Sequence, residues 1–222
     1  MVDLQNKSPE FLELYSKANP LPNARAKVPL LQVGDDYFLC ESLVMSEYIA
    51  ESYGQENELL PKQANERATM RLFQELCGST FSYLPILRAK GDEAAFQAAV
   101  QSLKEGLVEA NSFLAHTAAA AGEEDDDGPF VLGKTFSLAE CNMAPFVQRC
   151  CNNLPAFTGE KTGVPLVDPL KLCEELNLPR LKLWIEAVLS RSSVVKTGVT
   201  REDMIESASR MLERFAATSA SK

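Results

Sequence analysis

Histidine is almost absent from this sequence: the 222 residues contain only His116, which lies in an alanine-rich stretch of helical character. A zinc site of several histidines or a Ser-His-Asp triad would have to be built around that single side chain. The sequence therefore argues against both kinds of site, and we expect no bound metal ion.

Positive charge is also scarce. The 22 Lys and Arg residues are outnumbered by 31 Asp and Glu residues, which gives a formal net charge of −9 at pH 7. Nucleic-acid backbones and anionic lipid surfaces are bound by clustered Lys and Arg. We therefore expect neither a nucleic acid nor a membrane as partner, which leaves small molecules and proteins as the expected ligands.

Long hydrophobic runs are missing too. No stretch approaches the roughly 20 consecutive apolar residues that span a bilayer. The first ten residues, MVDLQNKSPE, have neither the basic start nor the apolar run of a signal peptide. A cytoplasmic location is the resulting expectation.

Cysteine spacing gives no sign of a redox or metal motif, because no C-x-x-C pair occurs. A chain of this length does not need disulfides to fold. We expect free thiols that are largely buried. The six residues concerned are Cys40, Cys77, Cys141, Cys150, Cys151 and Cys173.

A β-hairpin followed by a helix is predicted for residues 28–54. The first part reads VPLLQVGDDYFLC, two strand-forming runs separated by Gly34, Asp35 and Asp36, which favour a tight turn. Ser42 then caps a predicted helix that ends at Gly54.

Another short strand and a helix are predicted before the hairpin. Val2–Leu4 has strand-like composition, and Ser8-Pro9-Glu10 has the cap, proline and acidic residue of a helix start. This helix should end near Asn19. Residues 54–62 have the polar, Gly- and Pro-containing composition of a linker.

Everything after about Ala64 is predicted to be helical. Met70, Phe73, Leu76 and Cys77 fall on one face of the first helix. Further helices are predicted at 93–118, 137–151, 169–176, 179–190 and 201–217.

The helix at 137–151 begins with the best-defined signal in the chain. Ser137 and Glu140 have the spacing of a capping box, and Pro145 predicts a kink or a late helix start. Trp184 is expected in the core. The run AAAAGEEDDDG at 118–128 is predicted to be a solvated loop, because a calcium loop requires alternating ligands.

Several of these segments together resemble the glutathione-transferase family, most closely its omega and lambda classes. They are DLQNKSPEF, KVPLL, ESLVMSEYIAESYG and LLP in the first part, and FVLGKTFSLAECNMAPFV and LPRLKLWIEAV in the second. The resemblance implies a fold that is α/β and then all-α. We expect a truncated thioredoxin-like, glutathione-binding domain at 1–58 and an all-helical domain at 63–222.

The resemblance also implies a glutathione site. The helix N-terminus at Ser42 suits the γ-glutamyl carboxylate, and Glu41 beside it suits the ammonium group. Val28 is expected to pair its backbone with the cysteinyl part, before a cis Pro29, and Lys7 to contact the glycyl carboxylate. Simpler alternatives stay open: a solvated acid at Glu41, a helix cap at Ser42 and a surface lysine at Lys7.

Family members carry a strand, a turn with the catalytic Cys, Ser or Tyr, and a helix ahead of the segment that resembles residues 2–11. The catalytic residue of this chain is therefore unknown. Three explanations remain open: an incompletely recorded chain, a natural truncation with a binding role, or replacement by another residue. Cys40 is the one candidate for the last, although its place in a strand favours apolar packing.

By resemblance, the expected function is conjugation of glutathione to a small electrophile or glutathione-dependent thiol transfer to a disulfide substrate. The resemblance also allows the homodimer that is usual in the family. The alternative, from another class, is a non-catalytic glutathione-transferase-like protein that serves as a binding or protein-interaction module.

Overall fold

A computed structural model describes Asp3 and residues 6–54, 59–121 and 128–220. The chain divides into two compact units, Met1–Leu60 and Pro61–Lys222. Val2 and Leu4 of the predicted first strand, and most of the predicted acidic loop, lie outside the described residues.

The first unit contains two helices and a hairpin. Its elements are α1 (Pro9–Ala18), β1 (Leu30–Val33), β2 (Tyr37–Cys40) and α2 (Ser42–Tyr53). The strands are antiparallel, with Leu30 opposite Cys40 and Val33 opposite Tyr37. Gly34 begins the turn at a φ of 61°, a left-handed conformation that glycine adopts without strain. The predicted hairpin and the helix that follows it are confirmed.

Local signals set the limits of α1. The Ser8 side chain accepts a hydrogen bond from the Phe11 N–H at 3.2 Å, and Pro9 occupies the first helical position. The helix ends where the Asn19 N–H donates to the Tyr15 carbonyl at 2.9 Å. Both predicted ends of this helix are confirmed.

The first unit buries few side chains. Among its described residues, only Tyr15 and Met45 are buried. Three other apolar side chains of α2, Leu43, Val44 and Ile49, are about half exposed, at 55, 52 and 45%. Met45 is thus the only buried side chain of α2, and much of the apolar surface of the helix remains exposed.

The second unit is built from helices, with only isolated β-bridges among its described residues. Its helices are α3 (Ala64–Cys77), α4 (Leu84–Arg88), α5 (Glu93–Ala121), α6 (Leu138–Phe157), α7 (Pro169–Glu175), α8 (Pro179–Ser190), α9 (Ser192–Thr197) and α10 (Arg201–Ala220). A 3-10 turn spans Glu160–Thr162. The sequence predicted the longer helices and missed α4 and α9, which have five and six residues and are too short for apolar residues to recur over several turns.

Of the two alternatives predicted at Pro145, a kink or a late helix start, the late start is not observed. Helix α6 begins at Leu138 and continues through Pro145 and Pro155 to Phe157. The capping box at the start of α6 fixes the beginning of the helix before the first proline is reached.

The core of the second unit surrounds Trp184, which is fully buried as expected. Its ring meets Phe73 edge-on with centroids 5.4 Å apart and lies 5.8 Å from Phe81. On α3, Met70, Phe73 and Cys77 are buried, but Leu76 is 56% exposed. Three of the four apolar residues predicted on one face of α3 are therefore buried, and Leu76 is largely exposed.

The predicted capping box is confirmed, and it does more than cap α6. Glu140 accepts hydrogen bonds at Oε2 from the Ser137 N–H at 2.8 Å and the Ser137 hydroxyl at 2.7 Å. At Oε1 it accepts from the Val131 N–H at 2.8 Å and the Trp184 indole N–H at 3.0 Å. The residue is fully buried. One carboxylate therefore joins the start of α6 to α8 and to the preceding segment.

We expect Glu140→Ala to lower the free energy of unfolding by about 3 kcal/mol or more, because each buried donor left without an acceptor costs about 1–3 kcal/mol. Urea unfolding followed by circular dichroism measures the change. The exposed Glu213 of α10 provides the control, since Glu213→Ala should change stability by less than about 0.5 kcal/mol. Equal effects of the two substitutions would contradict a structural role for the Glu140 carboxylate.

Candidate functional site

Four of the five predicted site residues lie at one end of the β1–β2 hairpin: Val28, Pro29, Glu41 and Ser42. The first two immediately precede β1 and the last two immediately follow β2. Because the strands are antiparallel and Leu30 is opposite Cys40, the residues just beyond this pair lie side by side. The hairpin thus brings together side chains that are separated by twelve or more residues in the chain.

These four residues are accessible to a ligand. All are exposed, and Val28 is 42% exposed at the start of β1. The Val28–Pro29 peptide bond is cis, as expected. Pro29 has no N–H group, so Val28 is the residue of this pair that can both donate and accept a backbone hydrogen bond.

Ser42 is the first residue of α2 rather than its cap, so the predicted cap is wrong. Glu41 occupies the N-cap position with φ 68° and ψ 111°, and its side chain makes no capping hydrogen bond. This left-handed φ is rare for a residue other than glycine, and it turns the chain from β2 directly into α2. The N–H groups in the first turn of α2 therefore have no side-chain cap, and the positive end of the helix dipole faces the exposed hairpin end.

Lys7, the fifth predicted residue, is placed differently. It is half-buried and lies one residue before Ser8, the cap of α1. The other end of α1 reaches the hairpin, since the Ala18 carbonyl accepts a hydrogen bond from Cys40 Sγ at 3.7 Å. Ten helical residues span about 15 Å. Lys7 thus lies one helix length away from this contact, and the described contacts do not join it to the other four residues.

Cys40 has a packing role in the structure. It is half-buried in the last pair of the hairpin, and its thiol donates to the Ala18 carbonyl. A second contact between the same elements places Lys17 Nζ 5.5 Å from the centre of the Phe38 ring. These contacts hold α1 on β2.

The other five cysteines are free thiols whose surroundings disfavour the thiolate. Burial raises the pKa of Cys77 and of Cys173 to about 11 and that of Cys151 to about 12. Burial also raises the pKa of Cys150 well above its usual value and, less strongly, that of Cys141. The expectation of free thiols is confirmed for the described cysteines, although Cys141 is exposed rather than buried.

No metal site is evident in the part of the chain that the structure describes, where no three His, Cys, Asp or Glu side chains are grouped to hold an ion. His116 lies exposed on α5. Among the same residues, no helix has the length and apolar character needed to cross a membrane.

One polar cluster escaped the sequence analysis. Tyr83, Arg149 and Asn153 form what we term the polar corner of the second unit. Burial raises the pKa of Tyr83, and the charge of Arg149 and the side chain of Asn153 oppose this effect. The four-residue spacing of Arg149 and Asn153 is a visible signal in the sequence, but it is equally typical of the solvated face of a helix.

The chain is similar in sequence and in fold to known proteins. Residues 1–51 match the family model described as glutathione S-transferase, N-terminal domain. A solved tau-class glutathione S-transferase from mango superimposes with a TM-score of 0.64 at 22% identity, over 95% of this chain and 84% of that chain. The fold is that of the glutathione transferases.

Two further similarities extend across the glutathione-transferase fold. The chain is 26% identical over 209 residues to a protein of Oryza sativa subsp. japonica named probable glutathione S-transferase DHAR1, cytosolic, covering 92% of this chain and 77% of the relative. A trimeric glutathione transferase of Leishmania, TDR1, superimposes with a TM-score of 0.65 at 21% identity over 92% of this chain. This chain spans 40% of the length of the Leishmania protein.

The raised thiol pKa values predict slow alkylation. At pH 7.5, Cys77 and Cys173 should react with iodoacetamide at least about 100-fold more slowly in the folded chain than in urea, because a rise of two pKa units lowers the thiolate fraction about 100-fold. Their rates should increase with pH up to about 11, the pKa of both groups. Mass spectrometry of the peptides gives each rate, and equal rates in folded and unfolded chains would contradict this account.

Proposed function

We propose that this protein is a glutathione transferase that binds glutathione at the exposed end of the β1–β2 hairpin, for conjugation to an electrophile or for glutathione-dependent thiol transfer. The observation that carries the proposal is the uncapped N-terminus of α2 beside the Glu41 carboxylate, within the segment that matches the glutathione S-transferase N-terminal domain.

The γ-glutamyl end of glutathione carries both a carboxylate and an ammonium group. The free N–H groups and positive dipole of the first turn of α2 suit the carboxylate, and the exposed Ser42 hydroxyl is a further donor. Glu41 supplies the opposite charge for the ammonium group. Because hydrogen bonds to charged groups contribute about 1.5–3 kcal/mol each, this pair of contacts would dominate the affinity.

The cysteinyl part of glutathione is assigned to Val28. Its backbone is exposed where β1 begins, and an extended peptide can add to such a segment through main-chain hydrogen bonds. Pro29 cannot donate a hydrogen bond, so we assign it no polar contact with the ligand. Its proposed role is to set the backbone conformation before β1.

Lys7 is assigned to the glycyl carboxylate, and this is the assignment with the least structural support. An extended tripeptide spans about 10 Å, so its two ends must be held by groups that are well separated. Lys7 lies at the end of α1 remote from Cys40, in keeping with contact at the far end of the ligand. Lys7→Ala should therefore weaken binding less than changes at Glu41 and Ser42.

The same proposal includes the subclass, the domain boundaries, the cellular location and the assembly of the protein. The omega- and lambda-like subclass rests on the sequence motifs, and the limits 1–58 and 63–222 remain our proposed domain boundaries. We likewise propose a cytoplasmic location, and a homodimer as one assembly to be tested by light scattering.

Retention on immobilised glutathione tests the site. The wild-type chain should be retained and eluted by free glutathione, whereas Glu41→Ala with Ser42→Ala should weaken binding at least about 100-fold because two charged contacts are lost. The matched control changes another Ser and Glu of α2: the Ser46 hydroxyl donates to the Leu43 carbonyl, and Glu51 is exposed. Ser46→Ala with Glu51→Ala should be retained like the wild type. A wild-type chain that is not retained would refute the site.

A non-catalytic binding or interaction module is the second candidate. It is favoured by the thiol chemistry of the chain, since five described cysteines have raised pKa values and are poorly suited to form the thiolate needed for thiol transfer. Assays with a disulfide substrate and with a generic electrophile distinguish the two functions. Turnover of either substrate supports the enzyme, and retention on glutathione without turnover supports the binding module.

A further inference from the structure

The second unit contains a cavity between α5 and the segment that follows α3. Its volume is about 290 Å³, and it is lined by the end of α3, by residues of the segment 79–85 and by one face of α5. Along α5 the lining positions Ala99, Ser102, Gly106 and Glu109 recur at intervals of three and four residues, which is the spacing of one helix face. All lining residues belong to the unit Pro61–Lys222. The cavity is therefore a feature of one compact unit.

Gly106 allows the segment after α3 to approach α5 closely. A Cβ atom at this position would lie 2.8 Å from Thr80 Oγ1 and 3.1 Å from Thr80 Cγ2, both closer than ordinary van der Waals contact. Thr80 can therefore pack against α5 only because residue 106 has no side chain. Both residues line the cavity, together with the buried Leu103 of the same helix. This close contact forms one wall of the cavity.

Every polar side chain that lines the cavity can accept a hydrogen bond, and none carries a positive charge. Glu105 accepts a hydrogen bond at Oε1 from the neutral Gln101 side chain at 2.9 Å. Neither Glu105 nor Glu109 forms an ion pair with any residue in the part of the chain that the structure describes. The hydroxyl groups that accompany the two carboxylates are those of Ser79, Thr80, Ser82 and Ser102. The lining thus offers acceptors and negative charge to a ligand.

The two carboxylates of the cavity suit a ligand with two positive charges. Glu105 and Glu109 are four residues apart on α5, so they lie on one face, about 6 Å apart along the helix axis. Like charges at this spacing destabilise a helix, and cations bound beside them would offset the repulsion. An ammonium group has three hydrogen-bond donors and no acceptor, which matches a lining of carboxylates and hydroxyl groups.

We propose that the cavity binds a short aliphatic diamine. One ammonium group lies at Glu105 and the other at Glu109, and hydroxyl groups of the segment 79–82 accept further hydrogen bonds. The methylene groups between them lie against apolar lining residues such as Leu76 and Leu103. Small-molecule sites have volumes upward of about 300 Å³, so this cavity is suited to a ligand at the small end of the range.

This site is separate from the proposed glutathione site. Its lining residues lie outside the matched segment 1–51 and outside the unit that contains Glu41 and Ser42. Failure of one proposal therefore leaves the other standing, because retention on glutathione and binding of a diamine are measured independently.

Butane-1,4-diamine, butylamine and butane-1,4-diol are matched probes, since they share a four-carbon chain and differ in charge. Calorimetric titration of the wild-type chain at pH 7 and constant ionic strength should show the diamine binding at least about tenfold more tightly than butylamine, because the monoamine leaves one carboxylate without a partner. The uncharged diol should show no measurable binding. Absence of diamine binding, or equal affinity for the diamine and either other compound, overturns the proposal.

Variants of the two glutamates assign the effect to the cavity. Glu105→Gln with Glu109→Gln should weaken diamine binding at least about 100-fold, because both charged contacts are lost. Glu202 and Glu206 provide the matched control, since they are also exposed and four residues apart, on α10. Glu202→Gln with Glu206→Gln changes the net charge equally and should bind the diamine like the wild type. Equal weakening in the two double variants would mean that net charge alone attracts the diamine, which contradicts a site.

A further pair of variants tests the shape of the cavity at constant charge. Ala99→Leu places a larger side chain in the cavity and should weaken diamine binding about tenfold or more, because it occupies the space of the ligand. The neighbouring Ala98 is exposed on α5 outside the lining, and Ala98→Leu should bind like the wild type. Wild-type affinity in Ala99→Leu would show that the cavity is not used. Circular dichroism of each variant verifies that the helices are retained.

Discussion

Glu140 places a carboxylate in the interior of the second unit, where exposure is zero and every lone pair has to find a donor inside the protein. Two donors come from Ser137, one from Val131 and one from the Trp184 indole. These bonds tie three separate pieces of chain to one point. The contacts of Trp184 with Phe73 follow from this arrangement, and they set the position of α3 against α8. The helical unit is thus ordered around a buried polar group and not around apolar packing alone.

The first unit is organised in the opposite way. It buries Tyr15 and Met45 among its described residues, and its elements are held by the hairpin ladder and by contacts of α1 and α2 with β2. A small core leaves the groups at the hairpin end exposed. This exposure suits the proposed binding of glutathione, and it also means that the unit has little apolar burial with which to stabilise itself.

The sequence predicted elements whose signals are local. Ser137 and Glu140 specify the start of α6 through a side-chain pattern that needs no knowledge of the tertiary structure. The predicted cap at Ser42 failed because the conformation of Glu41 is set by the approach of β2 to α2, which no residue pattern reveals. The burial of Asn153, which is 1% exposed, was equally beyond prediction, since the burial of a polar side chain depends on what packs over it. The residues of the candidate site were predicted from sequence motifs, and the antiparallel register of the hairpin places four of them at one end.

Glu41 contributes both an unusual backbone conformation and a negative charge at the start of α2. Its left-handed backbone sets the direction of α2, and its side chain supplies the carboxylate next to the helix N-terminus. Glycine would adopt this backbone without strain but has no side chain. Replacing Glu41 by glycine would therefore relieve the backbone strain and also remove the carboxylate. Under the proposed function, backbone stability and ligand affinity therefore place opposite demands on this one residue.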